Sequence, residues 1–192
     1  MFSKFKSKIG HAKLKKQYKK IKRDKRIHNL VSARRIGVIF YAMTDKDFKL
    51  ALDFVNFLSE QNLEVCLLAY YPGKEIPQEF LMRKGANLFS KKEVNWYGKP
   101  LAPFTEEFAK MDFDILIDLS MEEVFPLKWV ATLSVAKFKV SSLMYPNPPY
   151  DLLINVKQTD SLEYYISQVK HYLNLINNRF AQEETEDRIT TN

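Results

Sequence analysis

Apolar positions along this chain switch between two spacings, unbroken short runs and runs of three-and-four. Ile36 to Tyr41 is a compact apolar run, and Leu63 to Tyr70 is a second. Between them Phe48, Ala51, Leu52, Val55 and Leu58 recur at helical spacing. Strand, helix, strand with short links predicts a right-handed βαβ unit. Thr44 precedes that helix as its expected N-cap, with Asp47 at the capping-box position. Ala86 to Ser90 reads as a short third strand, and Ile115 to Ile117, inside Phe113–Ser120, as a strand apolar on both faces. Such a strand must be covered on both sides, which places it centrally in a parallel sheet. Leu127, Val130, Ala131 and Leu133 continue a helix entered at Pro126, and Lys137–Leu143 and Leu152–Val156 read as the last strands. Leu162, Tyr165, Ile166, Val169, Leu173 and Ile176 give the cleanest helical period, with Asp160 expected to cap it.

The pattern predicts an α/β fold: a three-layer, Rossmann-like, doubly wound and mostly parallel sheet of five or six strands. It occupies residues 35–178, preceded by a basic helical arm, 1–34, and followed by a polar, frayed tail, 179–192. Residues 91–112 are irregular apart from a short helix near Thr105–Lys110. Trp96 and Tyr97 in that segment are either a functional lid or packing, and packing is the favoured reading.

Charge changes the picture at the arm. Residues 1–35 hold ten Lys and four Arg against one Asp, a net +13, which leaves −6 for residues 36–192. The overall +7 therefore belongs to the arm. Phe2, Phe5, Ile9, Ala12, Leu14, Tyr18 and Ile21 form a thin apolar stripe through it. Lysines four residues apart repel by a few tenths of a kcal/mol per pair, so the helix needs an anionic partner or its own body to order against. The arm reads best as a nucleic-acid segment, with RNA and the ribosome as the expected partner. Its candidate contacts are Lys4, Lys6, Lys8, Lys13, Lys15, Lys16, Lys19, Lys20, Lys22, Arg23, Lys25, Arg26, Arg34 and Arg35, with Tyr18 and His28 able to stack or touch phosphate. An anionic membrane surface, entered by Phe2 and Phe5, is the alternative partner, and a solvated tail is the third reading.

Catalytic chemistry has little to draw on. Five glycines include neither Gly-x-Gly-x-x-Gly nor a P-loop, and three histidines leave no triad or metal cluster, so no cofactor, metal or catalytic residue is expected. Cys66, alone and inside an apolar run, reads as a buried thiol. A ligand crevice at the strand ends would draw on Thr44, Asp45, Asp118 and Ser120. No apolar run is long enough to span a bilayer and no secretory core precedes the fold, so a cytoplasmic location is the default.

Two resemblances attach to these residues. Phe113–Ser120 followed by Leu133–Val140 resembles the later Rossmann portion of the N-terminal half of heptosyltransferases. This implies kinship of fold. Those enzymes hold a nucleotide-sugar donor on a second Rossmann domain, for which 192 residues leave no room, which counts against transferase activity; a small-molecule or transferase-like site near Asp118 is kept as an alternative. The whole chain resembles an uncharacterised family of small Bacteroidota proteins. The basic arm, Ile36–Phe40, Asn95-Trp96-Tyr97-Gly98-Lys99-Pro100, Asp114–Ser120 and Gln168–Asn177 carry that likeness. It implies no catalytic residues.

Overall fold

The computed structural model describes residues 2–82, 85–145, 148–157 and 159–176, with side chains from Phe5 onward. The expected tail, 179–192, lies outside the described residues. The elements in order are α1 (Phe2–Tyr18), β1 (Arg35–Tyr41), α2 (Asp45–Ser59), β2 (Glu64–Tyr71), α3 (Gln78–Leu81) and β3 (Ala86–Ser90). They continue as α4 (Pro103–Lys110), β4 (Ile115–Asp118), α5 (Phe125–Leu133), β5 (Phe138–Ser141), β6 (Leu152–Leu153) and α6 (Leu162–Leu175). All six strands are parallel, in the order β3-β2-β1-β4-β5-β6. This is the Rossmann-like doubly wound order, and the winding reverses between β1 and β4.

Side-chain alternation on the central strands feeds two cores. Ile36, Val38, Ile115 and Ile117 face a layer built by α2 and α6. Ile39 and Leu116 face the other layer, with Phe108 of α4 and Leu127 and Val130 of α5. The near-continuous apolar runs of β1 and β4 follow from burial on both faces. Thr44 caps α2, its hydroxyl accepting from Asp47 N. The cap of α6 differs from expectation: Ser161 accepts from Tyr164 N, while the Asp160 carboxylate is taken by Lys157 N at 2.7 Å. The last strand is also shorter than its apolar run, because pairing with β5 covers only Leu152 and Leu153.

The arm is helical only to Tyr18. From there the chain forms a strap beneath the amino ends of the strands. Arg26 N donates to Lys137 O at 3.2 Å, next to β5, and Leu30 N to Leu173 O at 3.3 Å, in α6. Asn29 Nδ2 donates to Ile176 O and its Oδ1 accepts from Ser32 N, so the strap turns into β1. Leu30 and Ala33 are buried in the core on the α2/α6 side. These tertiary hydrogen bonds outcompete the helix that lysine-rich composition alone favours.

Candidate nucleic-acid interface

Helix α1 lies along α5, and a close approach sets its seat. A Cβ on Gly10 would stand 2.4 Å from the Tyr97 carbonyl and 3.0 Å from the Phe125 ring, so only glycine lets the two backbones meet there. His11 stacks obliquely on Phe125 at 4.7 Å, and Leu14, one turn along, is buried. Gly10 and Leu14 are thus the inner face, while Phe5, Ala12 and Tyr18 remain exposed. The apolar stripe read from sequence is shared between the body and solvent.

The described lysines of α1 and of the segment that follows it point outward. Lys6, Lys8, Lys13, Lys15, Lys16, Lys19, Lys20 and Lys22 are all exposed. Among the described residues no carboxylate lies within ion-pair distance of any of them. Lys4 falls outside the described side chains. Lys13, Lys16, Gln17 and Lys20 line a groove of about 250 Å³ whose other wall is Tyr97. The Lys13 ammonium sits 5.0 Å from the centre of that ring.

Tyr97 belongs to a tight turn that brings aromatic surface to the lysines. Val94 and Pro100 form an antiparallel bridge, and Asn95 Oδ1 accepts from both Tyr97 N and Lys99 N. Gly98 closes the turn at φ +98°, a conformation L side chains rarely adopt, and a Cβ there would also strike Phe125. Tyr97 packs on buried Trp129 at 6.1 Å, whereas Trp96, edge-to-face with Tyr97 at 5.2 Å, is 57% exposed. Of the two loop aromatics, one packs and one is presented to solvent.

The other basic candidates are engaged elsewhere. Arg23, its side chain 9% exposed, is bonded to Asp151 by both terminal nitrogens and donates to the carbonyls of Ala136 and Lys137. Lys25 shares Asp151 at 3.3 Å, and Arg26 pairs with Asp24. Burial alone would raise the Asp151 carboxyl; the Arg23 hydrogen bonds and charge outweigh it and hold it below the usual range. Arg35 pairs with Glu64 at the amino edge of the sheet, and Arg34 is exposed beside it. Asp114, below them, accepts from the Arg34 and Arg35 amides and from Lys137 Nζ at 2.9 Å. His28 is half-buried over that carboxylate, and burial lowers its pKa, so it offers no open ring to a ligand.

The strand-end crevice has the opposite character. Thr44 and Asp45 stand in solvent at the start of α2, where Thr44 Oγ1 donates to Asp47. Asp118 and Ser120 are each 1% exposed. The Asp118 carboxylate accepts from the Tyr150 hydroxyl and from Ser120 N, while its main-chain carbonyl accepts from the Tyr165 hydroxyl at 2.8 Å. Burial pushes the Asp118 carboxyl up to about 6, against the lowering effect of Tyr150 and Ser120. Tyrosines from the segment after β5 and from α6 thus fill what the reversal of strand order opens. Cys66 is half-buried, and burial raises its pKa, so it stays a thiol. Among the described residues no group of three His, Cys, Asp or Glu could hold a metal, and no helix is long and apolar enough to cross a membrane.

Residues 6–176 match the model of a family described as a family of unknown function, DUF6913. The chain belongs to that family. No curated protein and no solved structure matches it. The span of DUF6913 takes in α1 from Lys6 onward as well as the sheet and α6, so helix and body fall within one family unit. The docking of α1 through Gly10 and Leu14 gives that unity a physical basis.

Proposed function

We propose that this DUF6913 protein binds RNA through the outward face of α1, with ribosomal RNA the first to test. One observation carries the reading: Arg23 and Lys25 are neutralised by Asp151, yet among the described residues no carboxylate pairs with the eight neighbouring lysines of α1 and its exit. Like-charge crowding of that kind is unfavourable unless a polyanion relieves it. Phosphate neutralisation releases counterions, which supplies a sequence-independent part of the affinity. A bilayer surface is the rival polyanion. With Leu14 turned inward, Phe5 and Tyr18 are the large exposed apolar side chains described on α1, a small area with which to enter lipid.

The test is a salt titration of RNA binding by the full chain. Neutralising roughly five to eight phosphates gives log K a slope of about −4 to −7 against log salt. Replacing Lys13, Lys16 and Lys20 together with Ala should make the slope shallower by about 2 to 3 and weaken binding at every salt concentration. Unchanged affinity and slope in that variant would remove the reading.

A further inference from the structure

We infer that the RNA engages this face as a single strand, with one unpaired base stacked on Trp96 and flanking phosphates held by Lys13, Lys16 and Lys20. The inference rests on the RNA reading and adds to it the strand state and the residue that detects it.

Three features meet around Tyr97, whose ring contacts both Trp96 and Lys13. Trp96 carries the largest apolar side chain in the protein's vocabulary, yet it is 57% exposed at the tip of a turn. The turn is held by two hydrogen bonds to Asn95 Oδ1, by the Val94–Pro100 bridge and by Gly98. The indole is therefore presented on a fixed support, so little freedom is lost when a flat group covers it. Its neighbour Tyr97 is wedged between Trp129 and the Lys13 ammonium, which fixes the support to both α5 and α1.

Lys13 and Lys16 stand three residues apart on α1, and Lys20 follows in the turn after Tyr18, its amide bonded to Gln17 O at 2.9 Å. These lysines border the groove whose wall is Tyr97, so cations and aromatic surface lie side by side. Flexible lysines tracking a backbone beside a stacking platform are the arrangement that single strands use, because every unpaired base offers a π face. A continuous duplex keeps its bases stacked on one another and would leave the indole without a partner.

The chain contains two tryptophans, and Trp129 is 4% exposed, so quenching by a ligand reports on Trp96. The probes are an unstructured single-stranded RNA oligonucleotide, a blunt duplex of the same length, and vesicles of phosphatidylserine and phosphatidylcholine. The single strand should quench the emission and bind more tightly than the duplex at equal salt. Trp96→Ala should weaken single-strand binding by roughly tenfold, measured on labelled RNA, and leave duplex binding and the salt slope unchanged. Trp96→Phe, which keeps a flat ring, should recover most of the loss. If Trp96→Ala binds single strand and duplex like the parent while the triple lysine variant is weakened, stacking is refuted and the RNA reading survives. If neither RNA binds, both fall. A blue shift with vesicles and none of the quenching by RNA would assign the indole to a lipid interface and overturn the inference.

Discussion

The groove beside α1 and the crevice at the carboxyl ends of β1 and β4 are two concave, polar regions that have been treated in opposite ways. The crevice has its acid, Asp118, closed over by Tyr150 and Tyr165 until 1% of it reaches water. The groove keeps three lysines in water beside Tyr97, whose ring in turn meets the exposed Trp96 indole. Strand-order reversal makes a crevice by geometry, but geometry supplies only the opening. A sealed carboxyl has spent its hydrogen bonds on the protein, whereas unpaired ammoniums have theirs to offer. That contrast, more than the fold class, is why recognition is proposed for α1.

Cutting the strap should have the largest effect. Arg23→Ala removes a buried guanidinium and leaves Asp151 with Lys25, itself exposed, and the Lys139 amide. Breaking one side of a buried ion pair costs about 3 kcal/mol, read as a fall in the denaturation midpoint at constant m-value. The sign with pH follows from Asp151 lying below its unfolded value. Its contribution is complete above the unfolded carboxylate range and is lost as pH falls through the folded pKa. The variant should therefore be less sensitive to acid than the parent, measured by stability between pH 5 and pH 2. Because Arg23 faces inward, the salt slope of RNA binding should move by less than one contact. A shift as large as that of the lysine variant would erase the distinction between clasp and binding face.

Next in size is the sealed side. Asp118 has a folded pKa raised to about 6, so the folded state takes up the proton first. Between its unfolded value and about 6 the native state binds more protons, and stability falls as pH rises through that window. Against Asp118→Asn, which cannot titrate, the parent should lose about 2 kcal/mol from pH 4 to pH 7. Parallel stability curves for the two proteins would show that water reaches the carboxylate and that the crevice is open after all.

Much of this frame could be read in advance and some could not, for separable reasons. β1, β2 and β4 announce themselves as apolar runs because burial on both faces leaves no polar position to interrupt them. Thr44 was legible because a cap acts on residues three positions away. Asp160 was misleading for the same local reason: Ser161 fits the cap equally well, and the Lys157 amide takes the carboxylate. The arm's excess of lysine was plain, but the end of its helix at Tyr18 was not, since Arg23 leaves the helix for partners 113 to 128 residues away. The seat of Gly10 against Tyr97 and Phe125 likewise has no period or motif behind it. Trp96 and Tyr97 were visible as aromatics in a loop; that one would prop the other beside α1 depends on contacts only the folded chain makes.

That seat gives a smaller and more selective test. Gly10→Val would put a branched side chain where 2.4 Å separates a Cβ from the Tyr97 carbonyl, so α1 must lift from α5. Valine also loses rotamer freedom in a helix. The cost to global stability should be about 1 kcal/mol, because the sheet and its two layers are untouched. Amide exchange in α1 should nonetheless accelerate strongly, and RNA should quench Trp96 less, since the lysines no longer lie against Tyr97, which contacts it. Unaltered exchange would mean that α1 is held by something other than this contact.

The smallest effect is expected at Lys139, which the fold has turned inward. Lys139 is 1% exposed, and its ammonium donates to Ala131 O at 2.6 Å, in the last turn of α5. That carbonyl lacks its helical partner because Val135 N donates instead to Ala109 O. Burial, with the nearby Arg23 charge, lowers the Lys139 pKa to about 7, so near neutrality the amine is close to half protonated. Lys139→Met removes the cost of desolvating a charge and at the same time orphans the Ala131 carbonyl, a loss of about 1 to 3 kcal/mol. The two oppose each other, and the net change at pH 7 should stay within about 1 kcal/mol. Their separation lies in pH. From about 7 to the unfolded lysine range the unfolded chain binds more protons, so the parent should gain stability on Lys139→Met as pH rises. A parent and Lys139→Met pair that track each other from pH 7 to pH 10 would mean the ammonium reaches water, and the contrast between inward and outward lysines would lose its footing.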